Sequence, residues 1–328
     1  MAAVSSAKGL SVVVPTVGAS PFLVDSLRAL RREVPEGAHI LVVDQGSTAS
    51  RLPEGLADRI LRPGRNLGFA GGMNLGFAEC RTEYLAAVND DLIVEEGWAE
   101  VLLEALEEHP GAAAAQGIHF RLEAPGEVDG AGLAFNSWWQ AVQRGHGEPL
   151  SEWMEGREIQ EIFGVSATAA IYRRSALEAV ALEAGKPAMQ IFDEGLESYY
   201  EDVDLACRLR NAGFSSLLAR RARAGHGGSI TGKALGRRRL ALIYGNRWAT
   251  LARFLGADFG RFRRRIFGRD LRDLLRALSR FRWTAVGGIA QGMARGRRLL
   301  PSFRHDGRAP GAARTRERFP VESPRGTP

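Results

Sequence analysis

Only two cysteines, Cys80 and Cys207, occur in the 328 residues, and they lie far apart. That scarcity argues against a disulfide framework and makes a reducing cytoplasm the expected compartment. No run of 18 or more apolar residues occurs, so no segment reads as a membrane-spanning helix. The opening "MAAVSSAKGLSVVVPT" has one lysine and then a short apolar run containing Pro15. It lacks the charged start and cleavage pattern of a signal peptide and reads as a first strand.

What is present suits a soluble globular protein: 45% hydrophobic and 25% charged residues, in a chain long enough for one large domain or two smaller ones. The net charge of +6 conceals an asymmetry. From Lys233 onward there are 24 Lys and Arg against 6 Asp and Glu, whereas residues 1–232 hold 20 against 32. An acidic front joined to a basic back points to a polyanionic partner for the back part.

The front alternates between two periodicities. "LSVVVPT", "HILVVDQG", "DRILRP" and "EYLAAVNDD" read as strands. Helical patterns cover Phe22 to Leu30, a segment starting near Gly72, and Glu96 to Glu107. This alternation predicts a mainly parallel α/β sheet flanked by helices, with ligands beyond the carboxyl ends of the strands. From about Gly236 the pattern becomes arginine-laced amphipathic helix, in two stripes: Leu240 to Leu255, then Leu271, Leu274, Leu275, Leu278 and Phe281. Such stripes either pack on the front domain or lie on an anionic membrane surface. No nucleic-acid motif accompanies the charge, so nucleic acid is not an expected partner. The expected division is residues 1–232 as a catalytic domain, 233–300 as a basic helical region and 301–328 as a disordered Arg/Gly/Pro-rich tail.

Three constellations could carry chemistry. "RNLGFAGGMNLGF" offers glycines for a tight turn and a helix start with free N–H groups for an anion; a structural turn fits it equally well. "VNDD" places Asn89, Asp90 and Asp91 at a strand end. Asn89 and Asp91 face one way there and could meet one divalent cation, and the bland alternative is a helix cap. His226, in "AGHGGS", is flanked by glycines that would let its ring reach a metal, although a lone histidine is more often a packing residue.

"YYEDVDLACRLRNAGF" puts Glu201, Asp202 and Asp204 at the front of a helix. Leu205, Ala206 and Leu209 lie at i+3, i+4 and i+7 from Asp202, which therefore faces the protein body. Asp204 and Arg208 form an i, i+4 pair in the favourable order and read as a solvated-face or structural pair. An inward carboxylate near a helix start must be paired, solvated by a cleft or functional; all three acids could also simply favour the helix dipole.

In the order "VVDQGS", "NLGFAGGMNLGF", "VNDD", "FDEGLESYYEDVDLACRLRNAGF" and "HGGS", from Leu10 to Arg247, the chain resembles glycosyltransferase family 2 and, within it, the rhamnosyltransferase-like subset. The resemblance implies the GT-A fold and inverting transfer from a nucleotide-diphosphate sugar to a glycan or polyprenyl-diphosphate-linked acceptor in cell-surface polysaccharide synthesis. It further implies a peripheral position on the inner face of the plasma membrane. Asp44, Pro15 and Thr16 would line the nucleotide pocket. Asn66 and the glycine loop, including Gly72, would support the phosphates. Asn89 and Asp90 would contact the donor. Asp91, the retained second acid of the metal motif, and His226 would hold Mn2+ or Mg2+. Asp202 would be the general base, with Glu201 its helper. Trp138 and Trp139 read either as an acceptor platform or as core. Two departures stand out: Asn89 replaces the first acid of the metal motif, and Ala49 stands where many relatives carry an aspartate. The competing readings are a sugar nucleotidyltransferase and a non-catalytic, membrane-associated binding protein with the same fold.

Overall fold

The computed structural model describes residues 9–46, 53–182, 190–228 and 235–303. Ala49, the expected 232/233 boundary and most of the expected tail lie outside these residues.

The first half is built as its periodicity demands. Strand β1 (Leu10–Thr16) pairs in parallel with β2 (His39–Asp44) and β4 (Tyr84–Val88), and β2 with β3 (Arg59–Leu61). All of β1 and β4 is buried, because helices cover both faces. Along β1, Val12 and Val14 enter one core, together with Leu27 and Leu30 of α1 (Leu23–Glu33) and Leu102 of α3 (Trp98–Glu108). Val13 enters the other, against Ala70, Met73 and Phe77 of α2 (Gly68–Glu79). That alternation is the period-2 geometry of a strand covered on both sides.

The second half of the sheet is mixed. Strand β11 (Ala169–Arg173) is antiparallel to both β4 and β6 (Ala112–Arg121), while β12 (Ser215–His226) runs parallel to β6. β12 also pairs antiparallel with β10 (Ile159–Ile162) and with β5 (Leu92–Val94). β7 (Ala124–Gly130) pairs with β6, and β8 (Leu133–Phe135) with β9 (Ala141–Gln143) form a separate ribbon. The short helices α4 (Leu150–Met154) and α5 (Arg174–Ala179) precede α6 (Glu201–Asn211). The α/β architecture and its helical extension are as expected; the parallel pairs are those within β3-β2-β1-β4 and the β6-β12 pair, and the remaining pairs are antiparallel.

Three helices end the described residues: α7 (Gly236–Leu255), α8 (Phe259–Ser279) and α9 (Trp283–Phe303). The two arginine-laced stripes have opposite fates. Leu251, Phe254 and Leu255 of α7 join Phe135, Trp139, Phe163 and Val203 in a third core, so this stripe packs on the front domain. Leu271, Leu275 and Leu278 of α8 are exposed, as are Phe281 and Trp283 after it. No helix among the described residues is long and apolar enough to cross a membrane. Helix α9 was not resolved as a separate element from sequence and continues through Pro301 to Phe303. It lies close on α7 because Gly288, Gly292 and Gly296 face Leu240, Tyr244 and Trp248, where a Cβ would come within 2.7, 2.5 and 2.9 Å.

Candidate active site

The carboxyl ends of the parallel strands gather the polar residues. Thr16 and Asp44 end β1 and β2 as register partners, and β4 ends just before Asn89. Ser166 and Thr168 precede β11, which runs the other way, so they reach the same edge; the Asn89 N–H donates to the Thr168 carbonyl at 2.8 Å. β12 delivers His226 at its end.

The Thr16 hydroxyl donates to Asp90 Oδ2 at 2.5 Å, and Ser20 to the Asp90 carbonyl at 2.9 Å. Burial pushes the Asp90 carboxyl up to about 6; the Thr16 bond opposes this and the neighbouring Asp91 reinforces it. Buried Asp44 accepts from the Gly46 N–H at 3.2 Å and faces the Arg62 guanidinium at 3.5 Å. Between these strand ends Gln45 accepts from the Leu67 N–H at 2.8 Å and donates to the Gly68 carbonyl at 3.2 Å.

The glycine loop differs from expectation. Helix α2 starts at Gly68 instead of near Gly72, and its first N–H groups are not open to an anion. Gly68 N–H donates to Asn66 Oδ1 at 2.8 Å, Phe69 N–H to Ser198 Oγ at 3.2 Å and Ala70 N–H to the Glu197 carbonyl at 3.0 Å. The segment before α6 thus supplies the cap that helix-start donors require. Gly72 is buried inside the helix, where a Cβ would lie 2.5 Å from Gln45 Nε2 and 3.3 Å from the Pro15 Cβ. Its contribution is this close approach, which seats Gln45 against Pro15.

His226 lies between two carboxylates. Its Nδ1 is 2.7 Å from Asp129 Oδ2, and its Nε2 is 3.4 Å from Asp91 Oδ1 with no hydrogen bond of good geometry. Burial disfavours the imidazolium, but the two carboxylates outweigh it and hold the ring up at about 9; the ring in turn holds Asp129 below the usual carboxylate range despite burial. Buried His119, nearby, is pushed down to about 4 by its apolar setting and is neutral. Among the described residues no three His, Cys, Asp or Glu side chains converge on one point. Asp91 and His226 alone nonetheless fit two ligands of a hard cation. Their 3.4 Å separation approaches the roughly 3 Å between adjacent ligands of an octahedral ion with bonds near 2.1 Å. Asp129 orients the ring from behind, as a carboxylate commonly does for a ligating histidine. Asp129 was not foreseen; an acid among glycines in "VDGAG" was its only signal.

The Glu201–Asp202 pair opens α6 after an unusual approach. Glu197, Tyr199 and Tyr200 have φ of 63°, 67° and 73°, left-handed values without a glycine. Asn246 Nδ2 lies 2.7, 3.0 and 2.8 Å from the carbonyls of Leu196, Ser198 and Tyr199, and Arg295 donates to the Gly195 carbonyl at 2.8 Å. The C-terminal helices therefore hold this segment in place. Asp202 is half-buried: Oδ1 accepts from the Val203 N–H at 2.8 Å and Oδ2 from the Ser166 hydroxyl at 3.2 Å. Ser166 also meets Thr168 Oγ1 and Gln143 Nε2. Glu201 is buried with Oε2 unpartnered. Burial raises both carboxyls, and the Asp202 charge adds to the effect at Glu201, which is pushed well up. Burial and the neighbouring charge thus favour protonation of Glu201 more than of Asp202.

Of the two readings of Asp204, the structural one holds and the solvated one does not. The residue is fully buried, bonded to Arg208 Nε at 2.8 Å and to Arg253 Nη1 at 2.6 Å, because α7 covers this face of α6. Trp139 is core, packed against Phe135 and Phe262, and the Arg265 guanidinium lies 5.3 Å over the Trp138 ring.

A family model described as glycosyl transferase family 2 matches residues 11–181, just over half of the chain. An uncharacterized protein of Mycobacterium tuberculosis (strain ATCC 25618 / H37Rv) is 24% identical over 225 residues, 68% of this chain and 75% of that protein. The glycosyltransferase GlyG of Streptococcus pneumoniae serotype 4 is 27% identical over 106 residues, 30% of this chain and 35% of its own. Among solved structures, GalNAc-T7 with UDP, GalNAc and Mn2+ superimposes with a TM-score of 0.59 at 14% identity. The match covers 94% of this chain and 57% of that one, and it shows a shared fold. The family match includes the strand ends bearing Thr16, Asp44 and Asn89–Asp91 and stops before the Glu201–Asp202 pair and His226. With a matching sequence model, a matching fold and polar groups collected at the strand ends, the nucleotidyltransferase and non-catalytic alternatives fall away, and the chain belongs to glycosyl transferase family 2 and is a glycosyltransferase.

Proposed function

We propose that the protein inverts the anomeric centre of a nucleotide-diphosphate sugar in one in-line displacement, with Asp202 as general base. The observation that carries this reading is the Glu201–Asp202 pair. Glu201 is deeply buried, whereas Asp202 is only half-buried and accepts a hydrogen bond from the Ser166 hydroxyl at 3.2 Å. Asp202 takes the proton of an acceptor hydroxyl as the oxygen bonds to the anomeric carbon. The bond from that carbon to the diphosphate oxygen breaks, and the nucleoside diphosphate leaves. Ser166 and Thr168 offer hydroxyls beside the base for orienting the acceptor.

Thr16, Asp44 and Asn89–Asp90 are the proposed donor contacts, with Pro15, Gly72 and Asn66 shaping their surroundings. Asp91 and His226 are the proposed holders of Mn2+ or Mg2+, which when bound would neutralise charge on the departing diphosphate. The imidazole nitrogen favours Mn2+ slightly. GalNAc-T7, solved with UDP and Mn2+, supports this donor and cation class. A rhamnose-like or other hexose donor and a glycan or polyprenyl-diphosphate-linked acceptor follow from the subset resemblance. The exposed apolar stripe of α8, flanked by exposed arginines, supports a position on an anionic membrane surface, and the cytoplasmic side follows from the resemblance.

Asp202→Asn tests the assignment. Transfer in a nucleotide-sugar screen should vanish while donor binding, measured by calorimetry with Mn2+ present, persists; full transfer by this variant would refute it.

A further inference from the structure

A cavity of about 430 Å3 lies within the C-terminal helical layer, away from the strand ends. Its size falls within the roughly 300–1,000 Å3 typical of small-molecule sites. The apolar wall comes from Trp248 of α7, Phe259 and Phe267 of α8, and Met293 and Leu300 of α9. Three exposed arginines also line it: Arg263, Arg264 and Arg297. Elsewhere in these helices buried cations are matched, as Arg247 is by Asp270 and Arg253 by Asp193 and Asp204. Among the described residues the three arginines at the cavity have no carboxylate within ion-pair distance. An apolar slot with unmatched guanidinium groups complements a ligand with a hydrocarbon chain and an anionic head, and guanidinium suits phosphate by its bidentate geometry.

The slot is continuous with the exposed stripe. Phe267 both lines the cavity and stands in register at i, i+4 and i+8 with exposed Leu271 and Leu275. It is also adjacent to the catalytic segment. Trp248 and Asn246, two residues apart on α7, point to opposite sides of the helix, and Asn246 holds the backbone that introduces Glu201 and Asp202.

We propose that this cavity binds the hydrocarbon chain of a phosphate-bearing lipid, with Arg263, Arg264 and Arg297 contacting the phosphate. The assignment rests on the membrane-facing reading of α8 and deepens it. The chemistry is shared by a prenyl phosphate, as in a lipid-linked acceptor, and by a bilayer phospholipid.

Calorimetric titration below micelle-forming concentrations separates the two sources, with farnesyl phosphate as the prenyl probe and lysophosphatidylglycerol as the acyl probe. Saturable binding of one equivalent is expected. Preference for farnesyl phosphate assigns the slot to a lipid-linked substrate; equal or tighter binding of the acyl probe assigns it to a bilayer lipid. Farnesol and inorganic phosphate should each bind much more weakly. The exposed double variant Arg263→Glu/Arg297→Glu should weaken binding by roughly tenfold or more. Met293→Trp should fill the slot and remove binding. Absence of saturable binding by either probe, or binding unchanged in both variants, would overturn the proposal. Sedimentation with phosphatidylglycerol vesicles reports on the membrane-facing stripe separately, since Met293→Trp leaves that stripe intact. Donor binding with Mn2+ reports on the active site separately from both.

Discussion

Asn246 of α7 donates its side-chain amide to the carbonyl of Tyr199 at 2.8 Å, two residues before the Glu201–Asp202 pair. The same nitrogen reaches the Leu196 and Ser198 carbonyls, and its carbonyl oxygen accepts from Arg295 Nε at 3.0 Å. A residue of the C-terminal extension thereby fixes a segment whose left-handed residues would otherwise relax.

Asn246→Ala should lower kcat strongly while leaving the donor KM nearly unchanged, because the base loses its placement while the donor contacts stay on the strand ends. Leaving these buried carbonyls without partners should also cost on the order of 1–3 kcal/mol of stability. Steady-state kinetics and urea unfolding check both expectations. A rise in donor KM at unchanged kcat would contradict the positioning role.

Glu201→Gln should preserve most of the transfer activity, whereas Asp202→Asn should lose about 10²- to 10⁴-fold, the usual contribution of a general base. The pH sign follows from burial. Glu201 has a folded-state affinity for its proton raised well above the unfolded value, so above the unfolded pKa the folded protein binds more protons than the unfolded chain. Stability from this group falls as pH rises from the unfolded pKa toward the folded one. Glu201→Gln, which removes that titration, should therefore hold or raise the Tm at pH 7 and flatten its decline with pH.

Asp202 is also raised, so the acid limb of the activity profile should lie above the ordinary aspartate range. A kcat/KM profile falling only below about pH 4, the ordinary aspartate value, would argue against Asp202 as the base.

His226, held at about 9 by Asp91 and Asp129, must surrender its Nε2 proton before a cation can bind. Mn2+ affinity should therefore rise about tenfold per pH unit below that value. Without metal, the stabilisation from the imidazolium is fully present below the ordinary histidine pKa and is lost as pH rises through about 9. The Mn2+-induced rise in Tm should accordingly be larger at pH 8 than at pH 6, and His226→Ala should abolish the difference.

Asp204→Ala should destabilise the fold by about 3–5 kcal/mol, the cost of leaving the buried Arg208 guanidinium without a carboxylate while Arg253 keeps only Asp193, where an exposed helix pair would lose only about 0.3–0.5 kcal/mol. The larger value follows from burial of Asp204 against Arg208 and Arg253, and chemical denaturation distinguishes the two.

Much of this was legible in residue order. Strand boundaries of the parallel half follow from short apolar runs ending in polar residues, as in "EYLAAVNDD". The face that Asp202 shares with buried Leu205, Ala206 and Leu209 follows from helical spacing, although Asp202 stays half-buried while Glu201 and Asp204 are the buried acids. Ser166, Gln45 and Asn74 carried no comparable signal, since each acts through a partner distant in sequence. Asn74, for example, clamps the backbone of Ile191 and Phe192 from α2. Helix α9 was missed although "GGIAQGMARG" places small residues every fourth position, a spacing that allows close helix contact.

The α/β alternation, the acidic groups at strand ends and the basic character of the C-terminal helices are written in residue order, because periodicity and charge are local properties. Which amphipathic stripe is core and which is exposed depends on packing, for both read alike until a partner surface exists. Packing also made Asp204 a buried structural anion, turned the first N–H groups of α2 toward the segment before α6, and placed Asp129 behind His226. Each of these depends on two segments meeting in space, where the loss of water from a carboxylate or an amide must be offset by a group that sequence spacing alone does not reveal.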